Sequence, residues 1–98
     1  MIEEKVKAAI RDIKDFPKKG IVFKDITPIL SDPALTTEIT DALAENYAKL
    51  NIDAVMGIES RGFLWGILLA QKLNVPFIPV RKKGKLPYKT VSHKYDLE

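Results

Sequence analysis

The stretch Ala54–Arg81 reads AVMGIESRGFLWGILLAQKLNVPFIPVR and decides the fold. Its opening residues are apolar without polar alternation, which is typical of a strand covered on both faces. Residues 62–73 are almost wholly apolar and predict a buried helix that ends at Asn74. Residues 75–81 form a second β-branched run, which two prolines weaken as a strand. Two strands joined by a helix make a βαβ unit with parallel strands, so the predicted fold class is α/β.

The loop Glu59-Ser60-Arg61-Gly62 lies between the first strand and the helix. In open parallel sheets, ligands bind at this end of a strand, where the next helix presents free amides and its positive dipole end. Gly62 lets the backbone approach an anion, Ser60 can donate its hydroxyl, and Arg61 has a planar fork that matches phosphate oxygens. The alternative is a capped turn with a solvated arginine. The four residues alone leave both interpretations open.

The segment before this unit predicts helices and a turn. Apolar residues at three- and four-residue spacing favour an amphipathic helix over residues 2–14. Residues 17–20, which contain proline and glycine, predict a turn, and residues 21–24 predict a short extended piece followed by a loop. Asp32-Pro33 is a strong helix start because aspartate caps free amides and proline suits the first helical position. That helix is expected to continue to about residue 50.

The composition is that of an ordinary globular chain. With 98 residues, 46% hydrophobic and 30% charged, at most one domain is expected. A chain of this size is marginally stable unless a partner subunit or further chain covers it. The absence of cysteine excludes disulfides and thiolate metal sites. We expect a cytoplasmic protein without membrane association, because neither a signal peptide nor a membrane-spanning run is visible.

Positive charge is concentrated in the second half of the chain. Residues 1–50 carry eight basic against nine acidic residues, whereas residues 51–98 carry eight against four. The excess lies in a basic loop over residues 82–89 and its flank: Arg81, Lys82, Lys83, Lys85 and Lys89. Such a cluster attracts phosphorylated metabolites, nucleic acid or acidic lipid, although a solvated charge run is the ordinary alternative. Residues 90–97 alternate as an arm or edge strand would, and His93 is interpreted as a surface residue.

Four segments resemble motifs of the adenine phosphoribosyltransferase family. Val55–Phe63 is similar to its pyrophosphate loop, and Phe16–Pro28 to its purine-binding segment. Arg81–Pro87 resembles its basic flexible loop, and Tyr95–Glu98 the start of the stretch that leads to its acid-base residue. The motifs occur in the family's order and cover the whole chain, as its N-terminal half.

The resemblance implies a fold and an activity. The fold would be the parallel sheet flanked by helices of a phosphoribosyltransferase, here incomplete. Residues 1–30 would bind the purine, residues 31–81 would form core helices and the βαβ unit, and residues 82–98 a flexible loop and arm. The activity would be transfer of phosphoribosyl from phosphoribosyl pyrophosphate to adenine, giving AMP and pyrophosphate in purine salvage. The implied cofactor is Mg²⁺ carried by phosphoribosyl pyrophosphate, and the implied assembly is a homodimer.

The resemblance also implies roles for individual residues. Main-chain groups of Val22 and Lys24 would bind adenine, and Phe23 would stack on it. Glu98 would handle the purine proton. A cis peptide at Glu59-Ser60 is implied, and no residue is assigned as a metal ligand. Pyrophosphate and phosphate contacts would come from two loops: Glu59, Ser60, Arg61 and Gly62, then Arg81, Lys82 and Lys85.

The family's downstream signature is absent from this sequence. The sequence contains no adjacent Asp-Asp pair and no Thr/Gly-rich loop for the ribose 5′-phosphate. We therefore expect the front half of an enzyme, inactive by itself. The alternatives are a phosphoribosyltransferase-like regulator that binds nucleic acid, which is less favoured, and a non-catalytic anion-binding module. The residues alone do not distinguish adenine from another purine.

Overall fold

The computed structural model describes residues 1–92. The chain divides into two compact units, Met1–Leu50 and Asn51–Glu98, which we call the first and second units and describe separately. The predicted subdivision at residues 30 and 81 stays a prediction.

The first unit combines three helices with a β-hairpin. Ile10 is extended, with φ −69° and ψ 132°, so the helix predicted over residues 2–14 is wrong beyond residue 9. The spacing of Ile10 and Ile13 fits a helix. Pairing between two strands, with Ile13 opposite Phe23, provides the backbone hydrogen bonds in this segment instead. The elements are α1 (Ile2–Ala9), β1 (Arg11–Lys14), β2 (Val22–Asp25), α2 (Thr27–Leu30) and α3 (Pro33–Tyr47).

The turn between β1 and β2 lies where the sequence predicts one. The peptide Phe16-Pro17 is cis, and Asp15 and Gly20 have φ of 56° and 90°. The Gly20 amide donates to Asp15 Oδ1 at 2.9 Å, and the Phe16 amide donates to the Ile21 carbonyl at 3.2 Å. Asp15 thus fixes a turn that joins two antiparallel strands.

Helix α3 begins as predicted. Asp32 is the N-cap and accepts the Leu35 amide at 3.1 Å, and Pro33 takes the first helical position. The helix ends at Tyr47, three residues before the predicted end. The loop predicted after β2 is partly wrong, because Thr27–Leu30 forms the single helical turn α2. Ile29 and Leu35 are buried and form the small core of this unit.

The second unit is the predicted βαβ unit. Strand β3 (Val55–Ile58) leads to helix α4 (Arg61–Leu73), which leads to strand β4 (Phe77–Val80). The strands are parallel, with Val55 opposite Phe77 and Ile58 opposite Val80. Asn74 ends the helix in the left-handed region, at φ 57° and ψ 48°. The α/β class is confirmed.

Glycines bring α4 close to the sheet. A Cβ atom at Gly66 would overlap the ring of Phe77, and one at Gly57 would lie 2.7 Å from that ring and against the Gly62 carbonyl. The Phe77 ring meets Phe63 edge-on, with 5.9 Å between centroids and 85° between planes. The helix therefore lies against β3 and β4 with an aromatic ring filling the space that glycines leave.

The predicted burial of this unit is wrong for one face. Met56, Ile58 and Ile78 are 66%, 60% and 45% exposed, although the apolar run predicts a strand covered on both faces. Within this unit, one helix covers only one face of a two-stranded sheet, and α4 itself has an outer side. The helix predicted as buried accordingly exposes Leu64, Ile67 and Leu68.

Candidate phosphate and purine sites

The predicted phosphate loop opens helix α4. Glu59-Ser60 is a cis peptide, as the family resemblance implies. Ser60 is the N-cap, and no side chain within residues 1–92 caps the free amides of the first turn. The Phe63 amide donates to the Ser60 carbonyl at 3.1 Å. A 13-residue helix thus directs its amino end, where amides and the dipole favour an anion, at the loop that carries Arg61.

Gly62 has a packing role in this loop. A Cβ atom there would lie 3.3 Å from the carbonyl carbon and 3.4 Å from the Cα of Gly57. A side chain would therefore push the start of α4 away from the end of β3. This packing role adds to the predicted one, in which the same glycine lets an anion approach the backbone closely.

Glu59 and Arg81 form a two-pronged ion pair. Arg81 Nε donates to Glu59 Oε1 at 3.2 Å and Nη2 donates to Oε2 at 3.1 Å, while Nη1 donates to the Lys85 carbonyl at 3.3 Å. The Glu59 amide also donates to the Val80 carbonyl at 2.9 Å. The Arg81 hydrogen bonds hold the pKa of Glu59 below its ordinary value of 4.5, and the charges of Arg81, Lys85 and Lys82 add to this. Hydrogen bonding to Glu59 raises the pKa of Arg81.

This pair was not predicted from the sequence. Glu59 and Arg81 are each predicted to contact phosphate, and that assignment stays a prediction. The signal was present, because each residue directly follows one of two parallel strands that lie in register, Ile58 beside Val80. Three nitrogens of Arg81 already have partners within the chain.

The basic loop begins with a tight turn beside Glu59. The Lys85 amide donates to the Lys82 carbonyl at 3.1 Å, and Gly84 takes φ 88°, which favours glycine. Lys82 and Lys85 are exposed, as is Arg61. The structure therefore brings Glu59, Arg81, Lys82 and Lys85 into one cluster, which we call the basic turn cluster.

The predicted purine-binding residues lie on β2 in the first unit. Phe23 meets Phe16 edge-on, with 5.1 Å between centroids, and Lys24 Nζ donates to Asp12 Oδ1 at 2.7 Å. The hairpin has two strands, so one edge of β2 has no strand partner within residues 1–92. Val22 and Lys24 are two residues apart and direct their main-chain groups to the same side.

Asp25 organises the end of β2 and was also missed. It accepts the Thr27 amide at 2.9 Å and the Thr27 hydroxyl at 2.8 Å, and it pairs with Arg11 at 2.9 Å. Its side chain is 13% exposed. The Thr27 amide, then the Thr27 hydroxyl and Arg11, hold the pKa of Asp25 below its ordinary value of 3.8. The Asp-x-Thr spacing, typical of a side chain that bonds the backbone two residues on, was the available signal.

Several predictions fall outside the described residues. Glu98, His93 and most of the arm predicted over residues 90–97 lie there, and residues 90–92 are not in a strand. Within residues 1–92, no group of three or more His, Cys, Asp or Glu side chains could hold a metal ion. No helix in the same range has the length and apolar character to cross a membrane.

The chain is similar to adenine phosphoribosyltransferases in sequence and structure. It is 53% identical to that of Helicobacter pylori strain J99, with all of this chain and 55% of the relative covered. The crystal structure from Rhodothermus marinus matches with 52% identity and a TM-score of 0.87, over 99% of this chain and 55% of that one. The structure from Saccharomyces cerevisiae, complexed with an imino-altritol bisphosphate and adenine, matches with 42% identity and a TM-score of 0.81, over 90% and 54%. No family model matches.

Proposed function

Because the chain belongs to the adenine phosphoribosyltransferase family and spans about half the length of the relatives it matches, we propose that it serves phosphoribosyl transfer to adenine. A ring nitrogen of adenine attacks the anomeric carbon of phosphoribosyl pyrophosphate as the bond to pyrophosphate breaks, which yields AMP and pyrophosphate. The observation that carries the proposal is the Glu59–Gly62 loop at the uncapped amino end of α4.

The loop's part in the reaction is to receive the departing pyrophosphate. Negative charge grows on that group as the bond breaks, and donors fixed in advance stabilise it more than they stabilise the starting complex. The first-turn amides are such donors, and the exposed Arg61 guanidinium adds a planar fork that matches phosphate oxygens. Lys82 and Lys85, exposed in the basic turn cluster, add positive charge to the same end of the unit.

The purine is proposed to bind at β2. Its hydrogen-bonding edge would meet main-chain groups of Val22 and Lys24, and Phe23 would stack on its face. Lys24 need not use its side chain for this, since that side chain pairs with Asp12. The adenine complex of the Saccharomyces cerevisiae relative supports adenine as the base. Glu98 is proposed to take the proton that the attacking nitrogen loses.

Three further features are proposed for the whole enzyme. Mg²⁺ is proposed to enter as a complex with phosphoribosyl pyrophosphate, as part of the substrate. The protein is proposed to act as a homodimer in the cytoplasm, as the family resemblance implies.

The test is binding of inorganic pyrophosphate to the chain and to Arg61→Gln, measured by isothermal titration calorimetry. Lys49→Gln, which removes one positive charge from the first unit, is the matched control. We expect about tenfold weaker binding for Arg61→Gln, the loss of a charge-assisted contact worth ~1.4 kcal/mol, and little change for Lys49→Gln. Equal binding by both variants would refute the site.

A coupled assay for AMP formation from adenine and phosphoribosyl pyrophosphate tests the activity itself. The chain alone is expected to give no turnover, because the Asp-Asp pair and the Thr/Gly-rich loop are absent from its sequence. Robust turnover by this chain would refute that expectation while supporting the reaction.

A further inference from the structure

A carboxylate in the proposed pyrophosphate site is electrostatically out of place. Glu59 lies in the loop whose amides and arginine are proposed to receive an anion, and its lowered pKa keeps it negative at neutral pH. A negative charge there repels pyrophosphate. Its presence therefore calls for a benefit that outweighs the repulsion.

The contacts of Glu59 indicate what that benefit is. Both of its oxygens are taken by Arg81, whose remaining nitrogen reaches the Lys85 carbonyl across the basic turn. The backbone continues the link, since the Glu59 amide donates to Val80. The side chains of Arg81 and Glu59 are 32% and 33% exposed, so the contact is partly shielded from water. One arginine thus joins the loop after β3 to the turn after β4.

We propose that Glu59 and Arg81 are positioning residues whose ion pair fixes the basic turn beside the pyrophosphate loop, so that Lys82 and Lys85 face the bound pyrophosphate. The inference rests on the proposed function. It makes Glu59 an indirect contributor to anion binding despite its charge, and it makes the geometry of the Arg81 fork matter more than its charge.

Glu59→Gln distinguishes a positioning role from simple charge repulsion, because the two roles predict opposite changes in pyrophosphate affinity. If the ion pair holds the turn, the variant binds inorganic pyrophosphate about three- to fivefold more weakly, which is the upper range for a partly exposed pair. If Glu59 only repels anions, the variant binds more tightly. Asp53→Asn is the matched control in the same unit. It removes the same charge at the other end of β3, roughly 20 Å away along an extended chain, and is expected to leave binding nearly unchanged.

Arg81→Lys supplies a second test, since it keeps the charge of Arg81 and loses its planar fork. Both substitutions break the same ion pair. The double variant with Glu59→Gln should therefore bind pyrophosphate no more weakly than the single variant that has the lower affinity. Losses that add in the double variant would show that Arg81 contacts pyrophosphate independently, and would overturn the inference.

Amide hydrogen exchange without any ligand reads the turn directly. The Lys85 amide, bonded to the Lys82 carbonyl, should exchange about threefold faster in Glu59→Gln and Arg81→Lys than in Asp53→Asn. Unchanged exchange overturns the inference, as does loss of the fold in Glu59→Gln, since the pair would then hold the sheet instead of the turn.

The failure of this inference can be distinguished from the failure of the proposed function. If the parent chain does not bind pyrophosphate, the proposed function fails, and the inference fails with it. If the parent binds and Glu59→Gln binds more tightly, only this inference fails.

Discussion

Replacing Gly57 by alanine should destabilise the second unit in a way that a change in a neighbouring side chain relieves only in part. The new Cβ would lie against the Gly62 carbonyl oxygen and 2.7 Å from two carbons of the Phe77 ring. Overpacking of this kind costs about 1–3 kcal/mol, and the lower backbone entropy of alanine in a strand returns about 0.5–1 kcal/mol. The expected net loss is about 1–2 kcal/mol of unfolding free energy.

Gly66→Ala is the matched comparison, because the three atoms nearest to its Cβ would all belong to the Phe77 ring. Removing the ring edge with Phe77→Leu should therefore rescue Gly66→Ala, which also gains up to about 1 kcal/mol of helix propensity. The same change should rescue Gly57→Ala only in part, since the Gly62 carbonyl remains. The two double-mutant cycles should differ by about 1 kcal/mol in coupling energy.

Urea unfolding followed by fluorescence suits this comparison. Trp65 is the single tryptophan and lies on α4, so its emission reports the helix that the substitutions push away. Gly57→Ala should also weaken pyrophosphate binding, because Gly62 belongs to the phosphate loop. A Gly57→Ala protein as stable as the parent, or one fully rescued by Phe77→Leu, would refute the packing described for the start of α4.

Substitutions at three further positions test local features. Asp32→Ala removes the cap of α3 and should cost about 1 kcal/mol of unfolding free energy in urea titrations, whereas Asp32→Ser should retain most of it. Asn74→Ala should cost roughly 1 kcal/mol, because alanine lacks the polar side chain that lets asparagine tolerate the left-handed conformation, while Asn74→Gly should be neutral or stabilising. Asp25 has a lower pKa folded than unfolded, so its contribution is present above pH 3.8 and is lost as the pH falls through the folded pKa. The stability difference between the parent and Asp25→Asn, measured from pH 6 to pH 2.5, should therefore shrink on acidification; a constant difference would contradict it.

The sequence predicted the second unit well because its signals are local and agree with one another. The apolar run before Glu59, the helix ending at Asn74 and the second strand give the βαβ unit within one or two residues at its ends. Burial was predicted less well. An apolar residue such as Met56 favours a buried position, whereas its actual burial depends on which other elements pack against it.

The hairpin and the ion pair show why the remainder was harder to predict. Ile10 and Ile13 satisfy a helical spacing, and only pairing with a strand ten residues later overrides it. The partner of Glu59 is 22 residues away and becomes a neighbour only when two strands align in register. Contacts of this type depend on tertiary structure. Considered one residue at a time, Glu59 and Arg81 were each predicted to contact the phosphate ligand instead of each other.

The exposed face of β3 and β4 should make the behaviour of this protein depend on the choice of buffer. Attraction between apolar surfaces grows with sulfate and phosphate salts and fades on cooling, whereas attraction of a basic turn for pyrophosphate fades with any added salt. Met56, Ile58 and Ile78 should therefore promote self-association in warm sulfate solutions, in which sulfate also competes for the phosphate loop. A cold, dilute chloride buffer should suppress both the self-association and the competition by sulfate. It is therefore the solvent in which ligand affinity and oligomeric state can be measured independently.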